Sequence, residues 1–306
     1  TGVRLMAQIN KPNQYFNTKL YTGTGSSLAV TGVGFQPDLN WTKDRGATEN
    51  HTLTDAVRGA TKRLFSNTSG AESINVSSLT SFDSDGFTVA GAGTNGGNNQ
   101  NYVSWNWKAG TSVSGTTTGA GTAKAYSGSV NTDAGFSIIT YVGNNSAGMT
   151  VPHHLGAVPK MIIVKNRDEG TESWQVYHGS LGATKYLNLN LSNAVGTNSN
   201  RWNNTEPTSS VFTNGVNGAT NENNSDHIAY CFAEKQGYSK FGSYIGNGND
   251  DGTFIYLGFK PAWTMIKRTN SADNWVIDDA TRSPFNLMEN TLYANLSNAE
   301  YTSNLY

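Results

Sequence analysis

The sequence predicts an all-β chain of tandem antiparallel β-sandwich repeats, jelly-roll or lectin-like, with the third copy truncated. Three observations carry that expectation. One segment is written three times: GFQPDLNWTKDR at 34–45, GAVPKMIIVKNR at 156–167 and GFKPAWTMIKRT at 258–269. Gly, Asn, Ser and Thr stand where charges usually do: charged residues are 14%, 34 residues are Gly and 11% are aromatic. Gly and Asn tolerate tight turns, while Thr, Tyr and Trp suit a pleated surface. Helical periodicity is scarce, and residues 53–65 form the one weak helix candidate.

The repeat extends well beyond its Pro segment. Strand-like runs open each copy: YFNTKLYTGTG from Tyr15, GFSIITYVGNN from Gly135 and GYSKFGSYIGNG from Gly237. Tyr21, Tyr141 and Tyr244 correspond, each followed two residues later by Gly. Pro37, Pro159 and Pro261 follow. Copies one and two then share Gly-Ala-Thr-Lys, from Gly59 and Gly182, where the third has TRSPFNLM. NLSNAV from Asn190 recurs as NLSNAE from Asn295. NYVSWNWKAG and HIAYCFAEKQG close the first two copies, and the third stops at Tyr306 before its closing strand. Four blocks in one order make a repeat architecture.

Pro fixes φ and lacks an N–H, so it belongs on the first residue of a strand. Alternate positions then face one way: Leu39 and Trp41, Met161 and Ile163, Trp263 and Met265. The opposite face is polar in copy one (Asn40, Thr42), predicting half-solvation, and apolar in copy two (Ile162, Val164), predicting burial on both sides. The Pro segment reads as a core strand with its leading turn. The resulting division is an N-terminal extension at 1–14, repeat one at 15–110, a Gly/Ser/Thr-rich linker at 111–134, repeat two at 135–236 and a partial repeat at 237–306.

Net charge is −1, with no Lys/Arg cluster, so a nucleic-acid or anionic membrane partner is not expected. Cys231 stands alone, which excludes an intrachain disulfide and a thiolate metal site. No apolar run reaches the roughly 20 residues that span a bilayer. The chain opens TGVRLMAQ without an initiator Met, as a processed chain or part of a longer polypeptide would.

No catalytic residue and no cofactor are assigned. GAGTNG at 91–96 has the spacing of a dinucleotide loop, but a strand follows it where a helix is required, so it reads as a Gly-rich hairpin. Asn247, Asn249 and Asp251 place oxygen atoms at alternate positions as calcium loops do. The twelfth position is Gly258, lacking the carboxylate of such loops, and β-turns use the same residues. His153 and His154 are adjacent and face opposite ways. Glu169, Glu172, Glu206 and Glu222 have no matching partner across the copies for the paired-carboxylate chemistry of a glycosidase. Trp105 and Trp107, matched by Tyr230 and Phe232, read as core. Trp202, in the polar stretch SNRWNNTEPTSS, could stack on a sugar while Asn203 and Asn204 bind its hydroxyls, or pin its own loop.

Taken together, INKPNQYFNTKLYTGTGSSLAVTGVGFQPDLNWTKDR, DAVRGATKRLFSN, SLTSFDSDGFTVAG, YVSWNWKAG and HLGAVPKMIIVKNR resemble a repeat in structural proteins of tailed, mainly marine bacteriophages. The resemblance covers nearly the whole chain and is strongest in the first two copies. It implies a concanavalin-like, lectin-type sandwich in a tail fibre or other appendage at the virion surface. Its partners would be other virion proteins and host surface polysaccharide, in a homo-oligomer, a trimer by preference. No site residue transfers from it. A spacer or decoration element, a bacterial extracellular adhesin and, less favoured, a polysaccharide-degrading enzyme are the alternatives.

Overall fold

In the computed structural model, residues 9–249, 251–285 and 288–302 are described. Of the N-terminal extension expected over 1–14, residues 1–8 therefore lie outside the described set. The described residues are nearly all β and antiparallel, with a 3-10 turn at Pro12–Gln14 and two one-turn helices, α1 (Ser199–Trp202) and α2 (Gly218–Asn221). Repeat one contains β1 (Phe16–Thr22), β2 (Leu28–Thr31), β3 (Leu39–Asp44), β4 (Thr52–Asp55), β5 (Lys62–Phe65), β6 (Ser73–Ile74), β7 (Leu79–Asp83), β8 (Gly86–Val89) and β9 (Asn101–Trp107). These form a six-stranded sheet ordered β1-β9-β3-β4-β5-β6, covered by a three-stranded sheet β2-β8-β7. Val30, Val33, Phe35, Leu79, Phe87 and Val89 fill the space on the smaller sheet.

Repeat two copies this plan with β13 (Phe136–Val142), β14 (Met149–Pro152), β15 (Pro159–Asn166), β16 (Gln175–His178), β17 (Lys185–Asn188), β18 (Gly196–Thr197), β19 (Val211–Asn214) and β20 (Asp226–Ala233). The expected linker is no linker: β10 (Thr111–Thr116), β11 (Thr118–Gly119) and β12 (Ala125–Asn131) lie within it. β10 and β12 extend the larger sheet, whose order is β10-β12-β13-β20-β15-β16-β17-β18, and β11 joins β14 and β19 opposite. Tyr126, Gly128 and Val130 alternate inward along β12, a period of two submerged in small polar residues. Gly128 is required there, since a Cβ would lie 2.3 Å from the Ile138 carbonyl oxygen. The helix candidate at 53–65 is instead the β4–β5 hairpin, because its apolar residues pair across strands, Leu53 with Leu64. Repeat three supplies β21 (Trp263–Lys267), β22 (Trp275–Asp279), β23 (Asn290–Tyr293) and β24 (Tyr301–Thr302) as one four-stranded sheet.

The first two Gly-x-x-Pro segments are core strands as their pattern predicts, and the third is the partly exposed strand β21. Gly34, Gly156 and Gly258 all adopt positive φ (88°, 64° and 80°), a conformation that side chains disfavour. Leu39, Trp41, Met161 and Ile163 enter one common core, and Trp263 and Met265 pack against it. That core also takes Trp105, Trp107, Tyr230, Trp275 and Ile277. The repeats are thus fused back to back, and the strand face expected to be half-solvated in copy one is buried. Its polar groups satisfy one another: Asn40 Nδ2 donates to Asn106 Oδ1 (2.9 Å) and Thr42 Oγ1 to Asn40 Oδ1 (2.7 Å).

Successive repeats meet through the same joint. The amides of Glu72, Val195 and Glu300 donate to the carbonyls of Arg167, Thr269 and Arg45 at 2.7, 2.9 and 2.8 Å. Repeat one thereby contacts two, two contacts three, and three returns to one. Two joints are ionic. At the first, Arg58 bonds Asp55 and Glu72, Arg167 bonds Glu72 (2.9 Å), and Tyr230 of repeat two donates to Asp55 (2.8 Å). At the return joint, Arg282 bonds Asp279 and Glu300, Arg45 bonds Glu300 (2.7 Å), and Trp105 donates to Asp279 (3.0 Å). Burial alone would lower the Arg58 value, but Asp55, Tyr230 and Glu72 raise it overall. Burial likewise opposes charge on Glu72, yet Arg167 and Arg58 hold its carboxyl below the ordinary range. The middle joint places His178, Leu181, Val195 and Thr269 at these positions and holds no ion pair among the described residues.

Candidate functional site

The three recurring lysines do not converge. Lys43 Nζ donates to the Ala47 carbonyl (2.9 Å) and Lys165 Nζ to Glu169 O (3.0 Å), each closing its own loop. Lys267 Nζ instead donates to the carbonyl of the adjacent Arg268 (2.6 Å) and, in repeat two, to Ser192 O (3.1 Å). Burial pushes the first two amines down to about 8. Their role is to satisfy loop carbonyls.

Trp202 does not present a ring to solvent. It follows the Asn198-capped turn of α1, is 2% exposed, and packs edge-on to Tyr177 at 6.1 Å. It belongs to the second repeat's core, between the two sheets, and so has no face to offer a sugar. Asn203 and Asn204 both take positive φ (50° and 47°). They form the turn after the helix, which Asn tolerates better than most residues. Asn247 and Asn249 accept from the amides of Asn249 and Asp251 at 3.1 and 3.2 Å, so their oxygens serve consecutive Asx turns. Among the described residues no three His, Cys, Asp or Glu side chains gather as a metal site. GAGTNG lies in the loop between β8 and β9.

The histidines are structural. His153 Nε2 bonds Thr208 O (3.1 Å) and His227 Nδ1 bonds Ser225 O (2.9 Å). His51 takes the indole's place at a position where Trp174 and Trp275 donate to the Phe65 and Asn188 carbonyls (both 2.9 Å). Burial lowers His153 and His227 to about 4, and holds His51 well below its usual value, with Lys43 and Arg282 acting in the same direction. Folded values below the unfolded 6.5 mean that the unfolded chain takes up these protons first. Stability is therefore complete above pH 6.5 and falls toward pH 4, on the order of 2–3 kcal/mol for each of His153 and His227, with His51 acting in the same direction. The buried carboxyls Asp38 and Asp278, raised by burial, offset part of that loss. Urea unfolding followed from pH 7 to 4.5 should show a steadily falling midpoint, and a flat profile would contradict the burial of these rings.

An open groove of about 740 Å³ lies beside the β10–β12 hairpin. It runs between the turns of repeat one (Gln36, Asp38, Val57, Lys108) and the β10–β12 hairpin. Antiparallel pairing sets Ser112 opposite Ser129 and Ser114 opposite Ser127, a cross-strand patch of hydroxyls continued by Ser127 to Thr140 at 2.9 Å. Asp38 anchors the junction, accepting from the Ala109 amide (2.8 Å) and Ser129 Oγ (3.4 Å). Burial pushes its carboxyl up, against the lowering effect of those two bonds. The lining holds one carboxylate, one amine, one amide and four serine hydroxyls beside two glycines and the apolar Ala56, Val57 and Val113, a mixture that can bond a polyol. None of these serines was marked by the sequence reading, which took their stretch as a linker. The alternation Tyr126, Gly128, Val130 was the available signal.

No curated protein and no solved structure is similar to the chain at a significant level. A family match covers residues 11–306, which spans all three repeats and the groove between them. By that match the chain belongs to the family DUF7483, a domain of unknown function.

Proposed function

We propose that the chain is a structural module of a virion appendage that adheres to host surface glycans through the serine-lined groove. The observation that carries this reading is the groove itself: exposed hydroxyls of Ser112, Ser114 and Ser127 beside Gln36 and Lys108, on paired strands. A polysaccharide offers many hydroxyls and few apolar faces, and such a surface exchanges hydrogen bonds with it. The resemblance to appendage repeats of tailed bacteriophages supplies the setting, at a virion surface among other virion proteins.

A spacer or decoration role is the second reading. It is favoured by how many of the repeated polar residues, Asp55, Arg58, Glu72 and their counterparts, are consumed by the joints. A glycan array with the purified chain separates the two. Binding that Ser127→Trp abolishes, and that Asn204→Ala leaves intact, supports the groove. Because residue 127 is exposed, stability should stay within about 0.5 kcal/mol of the parent. A blank array would leave the spacer reading.

A further inference from the structure

The groove divides into a floor whose polar groups are spent and a rim whose groups are free. On the floor, Asp38 is 6% exposed and accepts from the Ala109 amide on one oxygen and from Ser129 Oγ on the other. Ser129 Oγ also accepts from the Gly110 amide at 2.7 Å, and Ser127 shares its hydroxyl with Thr140. On the rim stand Gln36, Lys108, Ser112 and Ser114. Gln36 and the two serines are exposed, and Lys108 is half-buried. Among the described residues none of these four side chains has a hydrogen-bond partner, and Lys108 makes no ion pair.

The scaffold does not require these residues. Repeat two has Val158 in the place of Gln36 and Ala233 in the place of Lys108. The backbone job is the same in both copies: the Lys108 and Ala233 amides donate to Tyr15 O and Gly135 O. Repeat one therefore carries an amine and an amide where its near-copy carries two apolar side chains. Neither group serves a joint or a turn.

Their chemistry says what the rim would hold. Lys108 has three N–H donors and no acceptor, Gln36 has two donors, and each serine has one. No aromatic ring is among the described residues that line the groove, so the stacking that holds the apolar face of an uncharged sugar is missing. Asp38, the one carboxylate of the lining, feels Lys108 but forms no ion pair with it, and both its oxygens are already engaged. Such a rim gains most from a ligand that brings acceptors and negative charge, because charge-assisted hydrogen bonds are the stronger kind. On the glycan reading of this groove, we propose that it selects acidic saccharides: a carboxylate or sulfate ester meets Lys108, while sugar hydroxyls meet Gln36, Ser112 and Ser114. The chain's net charge of −1 supplies no long-range pull on an anion, so the preference is local to this amine.

Three polymers of one backbone test the preference: dextran, carboxymethyl-dextran and dextran sulfate, each titrated onto the full chain at one salt concentration. At least one acidic polymer should bind about tenfold or more tighter than dextran. Lys108→Gln should remove most of that margin, and Lys108→Arg should keep it. Lys160→Gln alters an exposed lysine outside the groove and should leave the margin unchanged, which controls for general attraction of a polyanion. The stronger of the two acidic polymers identifies the anion. Dextran binding as tightly as its acidic forms would overturn the charge preference and leave the glycan reading standing. Equal losses in Lys108→Gln and Lys160→Gln would overturn it as well, by showing that charge acts over the whole surface. No binding of any of the three would overturn it too, and a blank glycan array beside that result would remove the reading beneath it.

Discussion

Asp55→Ala should lower the unfolding free energy by about 3–5 kcal/mol, the usual cost of removing one partner from a buried ion pair. The Arg58 side chain is fully buried and would keep Glu72 as its one carboxylate. Tyr230 would lose the acceptor it reaches at 2.8 Å from another repeat. Urea denaturation gives the answer directly, and a loss under about 1 kcal/mol would mean that the pair is dispensable. The middle joint suggests a milder change. Asp55→His, Arg58→Leu and Tyr230→Leu together would mimic the His178–Leu181 arrangement, and should cost less than Asp55→Ala alone because no charge is stranded.

Trp105→Ala is expected to cost at least as much. The indole is fully buried, sits edge-on to Trp41 at 6.0 Å and stacks on His51 at 6.3 Å. Removing it opens a cavity, about 3–5 kcal/mol for a large aromatic. It also strips Asp279 of its ring N–H donor, about 1–3 kcal/mol more for a buried acceptor. Trp105→Phe separates the two contributions, since it keeps most of the packing and loses the donor. Because this ring belongs to a core common to all three repeats, thermal unfolding should remain a single cooperative transition in both variants. A biphasic melt, with repeat one lost first, would show that the repeats are energetically independent.

Much of this architecture was legible in the sequence, and the residues show why. The period-two pattern through Leu39 and Trp41, Met161 and Ile163, Trp263 and Met265 gave both the strand and its inward face, because alternation is a local property of extended chain. Trp105 and Trp107 read as core for the same reason. Solvation of the opposite face was misread at Asn40 and Thr42, since side-chain amides can satisfy one another across strands that are distant in sequence. The linker at 111–134 was misread because Ser, Thr and Gly suit an edge strand as well as a flexible tether, and partners decide between them. Trp202 was a case of composition misleading. Its neighbours are polar because they build caps and turns, while the indole itself points the other way. The groove could not be read at all, as it forms where residues near 38 and 108 meet a hairpin whose existence was not expected.

The contrast between the middle joint and the two ionic ones has a consequence for assembly. A polypeptide built from near-copies risks docking its modules in the wrong cyclic order, or borrowing one from a neighbouring molecule. Here the middle joint is marked off from the two ionic ones. Bringing Arg167 to Val195 would bury a guanidinium without the Glu72 carboxylate that it meets at its own joint. Mispairing of an ionic edge with the middle one is therefore penalised before any correct contact is counted.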